Sequence, residues 1–341
     1  MLLRTFKSSL LLFLVLLTGV LTASIGATAQ AQAAIPPPIA DFFDNPEFSA
    51  ALLSPDGRWL AMRMNGPQQR ERLAVVDLSD YSIKVVAEFA DVDIGEFEWV
   101  NPQRLIYNTR DRQIGRADLE YGPGLYAVNR DGSAFKQLAS RSGTHRNNLG
   151  VAKMLPWHTF MMQQKGAQDT EYVYVLSQHY NSLQRPDYVD LLRLNTLTGH
   201  GEIVPRPGKT RRWLLDHQGQ PRLAVTGERD MEQIFYRDPG KAEWRKLAEF
   251  KTYFGGPGNF VPFAFGPNGT LYVSARVIGD KSAIYSYDLQ NSKIADQPLV
   301  TISDYDFDGS LITNKHDILG IRFLADAVAT NWFSKPMQAV Q

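Results

Sequence analysis

The sequence predicts an all-β chain folded as a β-propeller of about six four-stranded blades, its ring either closed or left incomplete and open at the last blade. Three observations predict it. Apolar residues alternate with polar ones over short runs, the period of a half-buried strand, and long 3.6-residue periodicity is scarce. Turn formers of the Pro-Asp-Gly kind punctuate those runs. The strand–turn–strand unit recurs at a spacing of roughly 40–60 residues, which two tandem sandwiches would not produce. A small antiparallel sheet cannot bury both faces alone, so such units stack around an axis.

The clearest unit is Leu52-Leu53-Ser54-Pro55-Asp56-Gly57-Arg58-Trp59-Leu60-Ala61-Met62. Proline sets φ, aspartate bonds to nearby backbone and glycine accepts positive φ, so the turn is specified locally. Partner strands follow at Leu73-Ala74-Val75-Val76-Asp77-Leu78 and Ile83-Lys84-Val85-Val86. The second unit runs from Trp99 to Tyr107, with a partner at Gly124-Leu125-Tyr126-Ala127-Val128. The third is weaker, at Phe160-Met161-Met162, Tyr172-Val173-Tyr174-Val175 and Leu191-Leu192-Arg193-Leu194. The fourth turns at His217-Gln218-Gly219 and continues through Arg222–Val225 and Gln233–Tyr236. The fifth turns at Gly266-Pro267-Asn268-Gly269, and a sixth begins with a strand at Tyr305-Asp306-Phe307-Asp308-Gly309-Ser310-Leu311-Ile312. Blades are expected near 48–90, 94–140, 151–205, 213–250, 260–302 and 303–341. A ring that stops in mid-blade would leave an unpaired edge strand.

The first 34 residues are expected to lie outside this fold. Arg4 and Lys7 precede the apolar run Leu10 to Leu17, and Ala29-Gln30-Ala31-Gln32-Ala33-Ala34 offers overlapping A-x-A sites. That is the layout of a cleaved secretory signal peptide, and it places the mature protein in the periplasm or outside the cell. An uncleaved anchor is the other reading, since no charge interrupts Ser8 to Ala34. The Ala/Gln tail is too polar for a helix centre, so no stable membrane insertion is expected after cleavage. Residues 35–47, opening with Ile35-Pro36-Pro37-Pro38, read as an extended linker.

Composition narrows the function classes. Lys plus Arg and Asp plus Glu are 36 each among 341 residues, which argues against a nucleic-acid partner. Hydrophobic residues make up 44% and charged residues 21%, the balance of a packed chain rather than a disordered one. Cysteine is absent, so disulfides, thiolate metal sites, cysteine nucleophiles and a lipoprotein anchor are excluded.

The motifs of familiar chemistry are missing from the sequence. Gly-x-Ser-x-Gly, His-Glu-x-x-His and the Walker phosphate loop do not occur. Gly255, Gly256 and Gly258, broken by Pro257, read as a loop. His145, His158, His179, His200, His217 and His316 are scattered, with no metal-ligand spacing, and read as surface or turn residues. Asp304-Tyr305-Asp306-Phe307-Asp308-Gly309 has the opening of a calcium loop, but Lys315 stands where a bidentate glutamate belongs, so strand and turn is the preferred reading. Asn268-Gly269-Thr270 is a glycosylation acceptor placed in a tight turn, and Lys209-Thr210-Arg211-Arg212 reads as a solvated loop. Trp59, Trp99 and Trp213 lie near strand starts, which suits packing between sheets. No catalytic, cofactor-binding or metal-ligating residue is assigned.

The run Phe48 to Ala61 resembles the first blade of secreted bacterial peptidases of the prolyl oligopeptidase family, of the acylaminoacyl/dipeptidyl type. Gly124-Leu125-Tyr126-Ala127-Val128-Asn129-Arg130-Asp131-Gly132 and Asp317-Ile318-Leu319-Gly320-Ile321-Arg322-Phe323 share the resemblance, which runs over most of the chain after Ile35. Ser-Pro-Asp-Gly also occurs in TolB-like propellers that are not enzymes. The resemblance implies an N-terminal propeller that admits short peptides to a separate α/β-hydrolase domain carrying a Ser-Asp-His triad. No position of that triad matches this sequence, which ends at Gln341 in or just after the sixth repeat. The expectation is therefore a substrate-gating propeller, inactive alone, with short peptides and a separate hydrolase domain as partners. The alternative is a complete six-bladed TolB-like module that binds a periplasmic protein or ligand, in which Ile39 to Ala51 supplies the missing strand of the last blade.

Overall fold

The computed structural model describes residues 38, 47–66, 69–115, 122–142, 154–252 and 258–341. The stretch read as a signal peptide, the linker apart from Pro38 and Glu47, His145, Gly255, Gly256 and Pro257 lie outside them. The first blade is the antiparallel meander β1 (Phe48–Leu53), β2 (Trp59–Met64), β3 (Arg72–Asp77) and β4 (Ile83–Ala87). The second is β5 (Asp93–Asn101), β6 (Arg104–Arg110), β7 (Leu125–Asn129) and β8 (Lys136–Ala139). The third is β9 (Thr159–Met161), β10 (Tyr172–Tyr180), β11 (Pro186–Asn195) and β12 (Gly201–Ile203). The fourth is β13 (Thr210–Leu215), β14 (Pro221–Glu228), β15 (Met231–Tyr236) and β16 (Arg245–Lys251). The fifth is β17 (Phe260–Phe265), β18 (Leu271–Ala275), β19 (Ala283–Asp288) and β20 (Lys293–Ile294). The sixth has three strands, β21 (Gly309–Thr313), β22 (Ile318–Leu324) and β23 (Val328–Trp332), followed by helix α1 (Lys335–Val340). The six sheets form the ring of a β-propeller.

The turns form where the sequence specifies them. Ser54 Oγ donates to Asp56 at 2.5 Å and accepts from Trp59 N–H at 3.0 Å, while Gly57, at φ +71°, donates to Ser54 O at 2.9 Å. Gly219 repeats the device at φ +73°, donating to Asp216 O at 2.9 Å. Both glycines sit where a Cβ would strain the backbone.

The core is a series of seams between successive blades, because alternate residues of a strand face opposite neighbours. Leu105 and Tyr107 of β6 pack against Ala61, Leu73 and Val75 of the first blade. Ile106, one residue out of phase, packs with Val175, Leu192 and Leu194 of the third. Leu191 in turn meets Trp213, Leu215 and Ala224 of the fourth. Similar seams join the fourth blade to the fifth and the fifth to the sixth. Among the described residues no such cluster joins the sixth blade to the first, and Leu324 and Val328 remain about half exposed.

Polar bridges reinforce the seams. Trp99 Nε1 donates to Leu52 O at 3.0 Å and Trp213 Nε1 to Val189 O at 2.9 Å, so both indoles lock a blade to its predecessor. Arg104 is buried without a carboxylate partner. Its guanidinium donates to Thr196 Oγ1 and O, Asn129 Oδ1 and Ala134 O at 2.8–3.1 Å, tying the second blade to the third. The long connection from β9 to β10 braces both neighbours: Gln164 Nε2 donates to Trp213 O at 2.9 Å and Gln168 Nε2 to Trp99 O at 2.8 Å.

Two local expectations change. The sixth repeat's first strand starts at Gly309, not Tyr305. Asp306 instead accepts from Ser282 N–H at 2.7 Å and from Arg276 Nη2 at 3.0 Å, so this stretch is held as a loop against the fifth blade. Lys209-Thr210-Arg211-Arg212 is exposed at its basic residues, as a solvated segment should be, but it is not a loop, since Thr210, Arg211 and Arg212 open β13. Thr210 is fully buried at the head of β13, and Lys209 pairs with Asp187 at 2.8 Å.

Candidate functional site

Every odd-numbered strand starts, and every even-numbered strand ends, at one end of the propeller, here called the near end. Arg63 is the penultimate residue of β2 there, Arg110 closes β6 and His179 lies at the end of β10. Between the first and second blades this end holds a pocket of about 560 Å³ lined by Leu52, Arg63, Glu96, Phe97, Arg110 and Pro123, among others.

The pocket is shaped by a bulge in β5. Ile94 pairs with Thr109 and Phe97 with Tyr107, leaving Gly95 and Glu96 together opposite Asn108. Asn108 Oδ1 accepts the Glu96 N–H at 2.7 Å, replacing a ladder bond. A Cβ at 95 would lie 2.2 Å from that oxygen, so a side chain there would displace the Asn108 amide from this bond. Bulges of this kind redirect side chains and backbone groups out of the ladder. Here the freed Gly95 carbonyl points toward Arg63 Nη1, 3.4 Å away.

Behind the pocket wall lies a network of charges. Glu71 is almost fully buried and receives Arg112 Nη1 at 3.1 Å, Ser49 Oγ at 3.1 Å and Arg63 Nη1 at 3.5 Å. Arg70 donates to Asp93 at 3.1 Å and Asp111 at 2.9 Å. Burial pulls the Arg63 guanidinium below the usual arginine range, Glu71 opposes this, and Arg112 and Arg110 add to it. For Arg70, burial works in the same downward direction, but the bonds to Asp111 and Asp93 outweigh it and hold the group above that range.

A second cluster occupies the near end of the third blade, and it corrects the reading of the histidines as scattered. His158 and His179 lie on neighbouring strand ends with ring centroids 5.9 Å apart. His179 Nε2 meets Asp190 at 3.0 Å and its ring stacks on Tyr188 at 4.4 Å, while Arg206 bonds Asp190 at 2.9 Å from the other side. Ser177 Oγ is 3.4 Å from His158 Nδ1. That exceeds the reach needed for proton transfer, and the serine is buried within β10 rather than raised on an exposed turn. Burial first, then the neighbouring His179, hold the His158 pKa below the usual histidine value. The register of β9 against β10 brings the two together: Gln178 N–H donates to His158 O at 3.0 Å.

His200, His217 and His316 lie in strand connections at the opposite end of the propeller, between β11 and β12, β13 and β14, and β21 and β22. Among the described residues no group of three or more His, Asp or Glu could hold a metal ion. Trp99 and Trp213 are buried between sheets, and Trp59 carries Arg130 over its ring at 3.8 Å. Asn268 is spent on its turn, accepting Thr270 N–H at 3.1 Å.

No protein-family model and no curated protein matches the sequence. Solved structures do. A prolyl endopeptidase is similar at TM-score 0.52 and 14% identity, over 84% of this chain and 41% of that one. The β-propeller domain of the trilobed protease from Pyrococcus furiosus, which has an open velcro topology, is similar at TM-score 0.52 and 13% identity, over 85% of this chain and 80% of that domain. An acylaminoacyl peptidase in complex with Z-Gly-Gly-Phe-chloromethyl ketone follows at TM-score 0.49 and 13% identity, over 87% of this chain and 47% of that one. These three are peptidases or a peptidase propeller domain, and an oligogalacturonate lyase in complex with manganese is also similar, at TM-score 0.49 and 14% identity, over 84% of this chain and 77% of that one. At these identities the likeness is one of fold, and the chain spans less than half the length of the prolyl endopeptidase and the acylaminoacyl peptidase. Among the described residues no helix is long and apolar enough to cross a membrane.

Proposed function

We propose that this propeller holds short peptides at its near end and restricts their access to a serine-peptidase centre supplied by another domain or chain. The observation that carries the reading is the fold shared with a prolyl endopeptidase over 84% of the chain. The pocket between the first two blades supports it, since a stiff ring with one polar, partly apolar recess suits selection better than bond breaking. Acyl transfer needs an activated nucleophile and an oxyanion hole, and neither cluster at the near end combines the two. Export to the periplasm or beyond is part of the proposal and rests on the signal-like residues 1–34.

The test is equilibrium binding of short and long unstructured peptides to the purified chain, run beside hydrolysis of chromogenic peptides. Binding of short peptides without turnover is the expected result. Turnover that survives repurification overturns the non-catalytic assignment. Absence of peptide binding, with capture of a folded periplasmic partner by a monomeric and cooperatively melting ring, replaces this reading with the TolB-like binding module. N-terminal sequencing of the exported form tests export, and an intact Met1 overturns cleavage.

A further inference from the structure

We propose that the pocket between the first and second blades is a monocarboxylate site that takes the C-terminal carboxylate of a short peptide with an apolar last side chain. The peptide as occupant rests on the peptide-holding function proposed above; the carboxylate chemistry stands on the pocket alone.

Arg63 is the first reason. Its side chain is largely buried, yet its two contacts, 3.5 Å to Glu71 and 3.4 Å to the Gly95 carbonyl, are longer than the 2.7–2.9 Å of charge-assisted bonds. Its Nε is buried without a hydrogen-bond partner among the described residues. Glu71 is engaged more closely by Arg112 at 3.1 Å, so the Arg63 fork keeps most of its donor capacity. A planar guanidinium with free donors matches a carboxylate in a bidentate fashion.

Charge count is the second reason. Two guanidinium groups, Arg63 and Arg110, and one carboxylate, Glu96, line the recess. Arg110 makes no ion pair or hydrogen bond through its side chain among the described residues. A single carboxylate can lie between the two guanidinium groups, while a dianion such as phosphate would face Glu96. Behind the wall Arg70 and Arg112 face three carboxylates, Asp93, Asp111 and Glu71, and Arg63, 3.5 Å from Glu71, is the third cation of that network.

Shape is the third. Leu52, Phe97 and Pro123 supply an apolar wall beside the arginines, and about 560 Å³ accommodates a few residues of peptide.

The experiment is calorimetric binding to the whole chain of one short acetylated peptide ending in leucine, as free acid and as amide, with hexanoate as a third ligand. The free acid is expected to bind about ten- to a hundredfold more tightly than the amide. Arg63→Gln is expected to abolish the difference and the hexanoate signal. Because Glu71 then loses a cation, the double variant R63Q/E71Q, which keeps shape and balance, repeats the measurement. Equal binding of acid and amide by the native chain overturns the carboxylate assignment while leaving peptide holding intact. Hexanoate binding that needs Arg63, with no peptide bound in either form, supports the carboxylate site and removes the peptide. No binding of any of the three overturns the whole inference.

Discussion

Glu98→Gln is expected to stabilise the propeller above neutral pH and to leave it unchanged in acid. Glu98 lies on the innermost strand of the second blade, facing the third, beside a cavity of about 20 Å³. Its Oε1 is buried with no partner among the described residues, and burial pushes its pKa from 4.5 to about 7, with Lys165 pulling weakly the other way. Between those two values the folded chain keeps a proton that the unfolded chain has released. Stability therefore falls as pH rises through that window, and the loss is complete above about 7. A rise of this size corresponds to roughly 3 kcal/mol, an upper bound for a group that water can partly reach. The glutamine has the same shape and no charge to desolvate. For a chain of this length that is about 5 °C in melting temperature. Thermal melts of both proteins at pH 4 and pH 8.5 check it, with the difference between them as the readout. A difference that is the same at both pH values refutes the reasoning, because a packing effect would not titrate.

Three further outcomes follow from the geometry. Arg104→Leu removes all four donations of a buried guanidinium and strands their acceptors, costing about 3 kcal/mol in urea unfolding; a loss below about 0.5 kcal/mol would contradict the tie between blades. Gly219→Ala combines a φ of +73° with a Cβ only 2.4 Å from Ala167 N, whereas Gly57→Ala, at φ +71°, meets nothing within 4 Å. The first is expected to cost about 1–2 kcal/mol more than the second, and equal costs would mean that the connection from β9 to β10 does not press on that turn. Calcium calorimetry is expected to be silent, since Asp306 is taken by Arg276 and Ser282 N–H; heat that vanishes in Asp306→Ala would reverse this.

What could be read in the sequence was what neighbouring residues decide. Ser54-Pro55-Asp56-Gly57 makes its turn from its own hydroxyl, carboxylate and glycine, so the first repeat was legible without the rest of the ring. Trp99 and Trp213 were legible as packing residues, although Trp99 stands near the end of β5 and not at a strand start. The sixth repeat's start was misjudged because Tyr305 and Phe307 alternate like a strand, while a non-local pair, Asp306 with Arg276, holds the segment as a loop. Arg63 was invisible for a related reason. Its surroundings come from Glu71, Gly95 and Arg112, brought together by two blades and a bulge. One signal was present: a lone glycine inside the strand Asp93-Ile94-Gly95-Glu96-Phe97 marks a bulge or a close backbone approach. The meeting of His158 and His179 needed only the register of β9 against β10, but the short β9 has too weak a pattern to fix it.

The pocket's stiffness traces to one carboxylate. Asp93, nearly buried, accepts the Glu71 N–H at 3.0 Å, the Arg112 N–H at 3.1 Å and Arg70 Nη1 at 3.1 Å. It thereby joins the start of β5 to the β2–β3 connection and to the chain leaving β6. Glu71, one of the two residues it anchors by their backbones, is the one that meets Arg63 from behind, at 3.5 Å, and Arg112 holds Glu71 in turn. Arg63 is consequently held near its working position before any ligand arrives, and a bound carboxylate does not have to order a long, flexible side chain. The entropy of immobilising such a side chain, about 0.5–1.5 kcal/mol, is already met in folding, so a small recess can discriminate acid from amide without a closing lid. A charge placed on a loose surface loop would lose most of that advantage to side-chain entropy and screening.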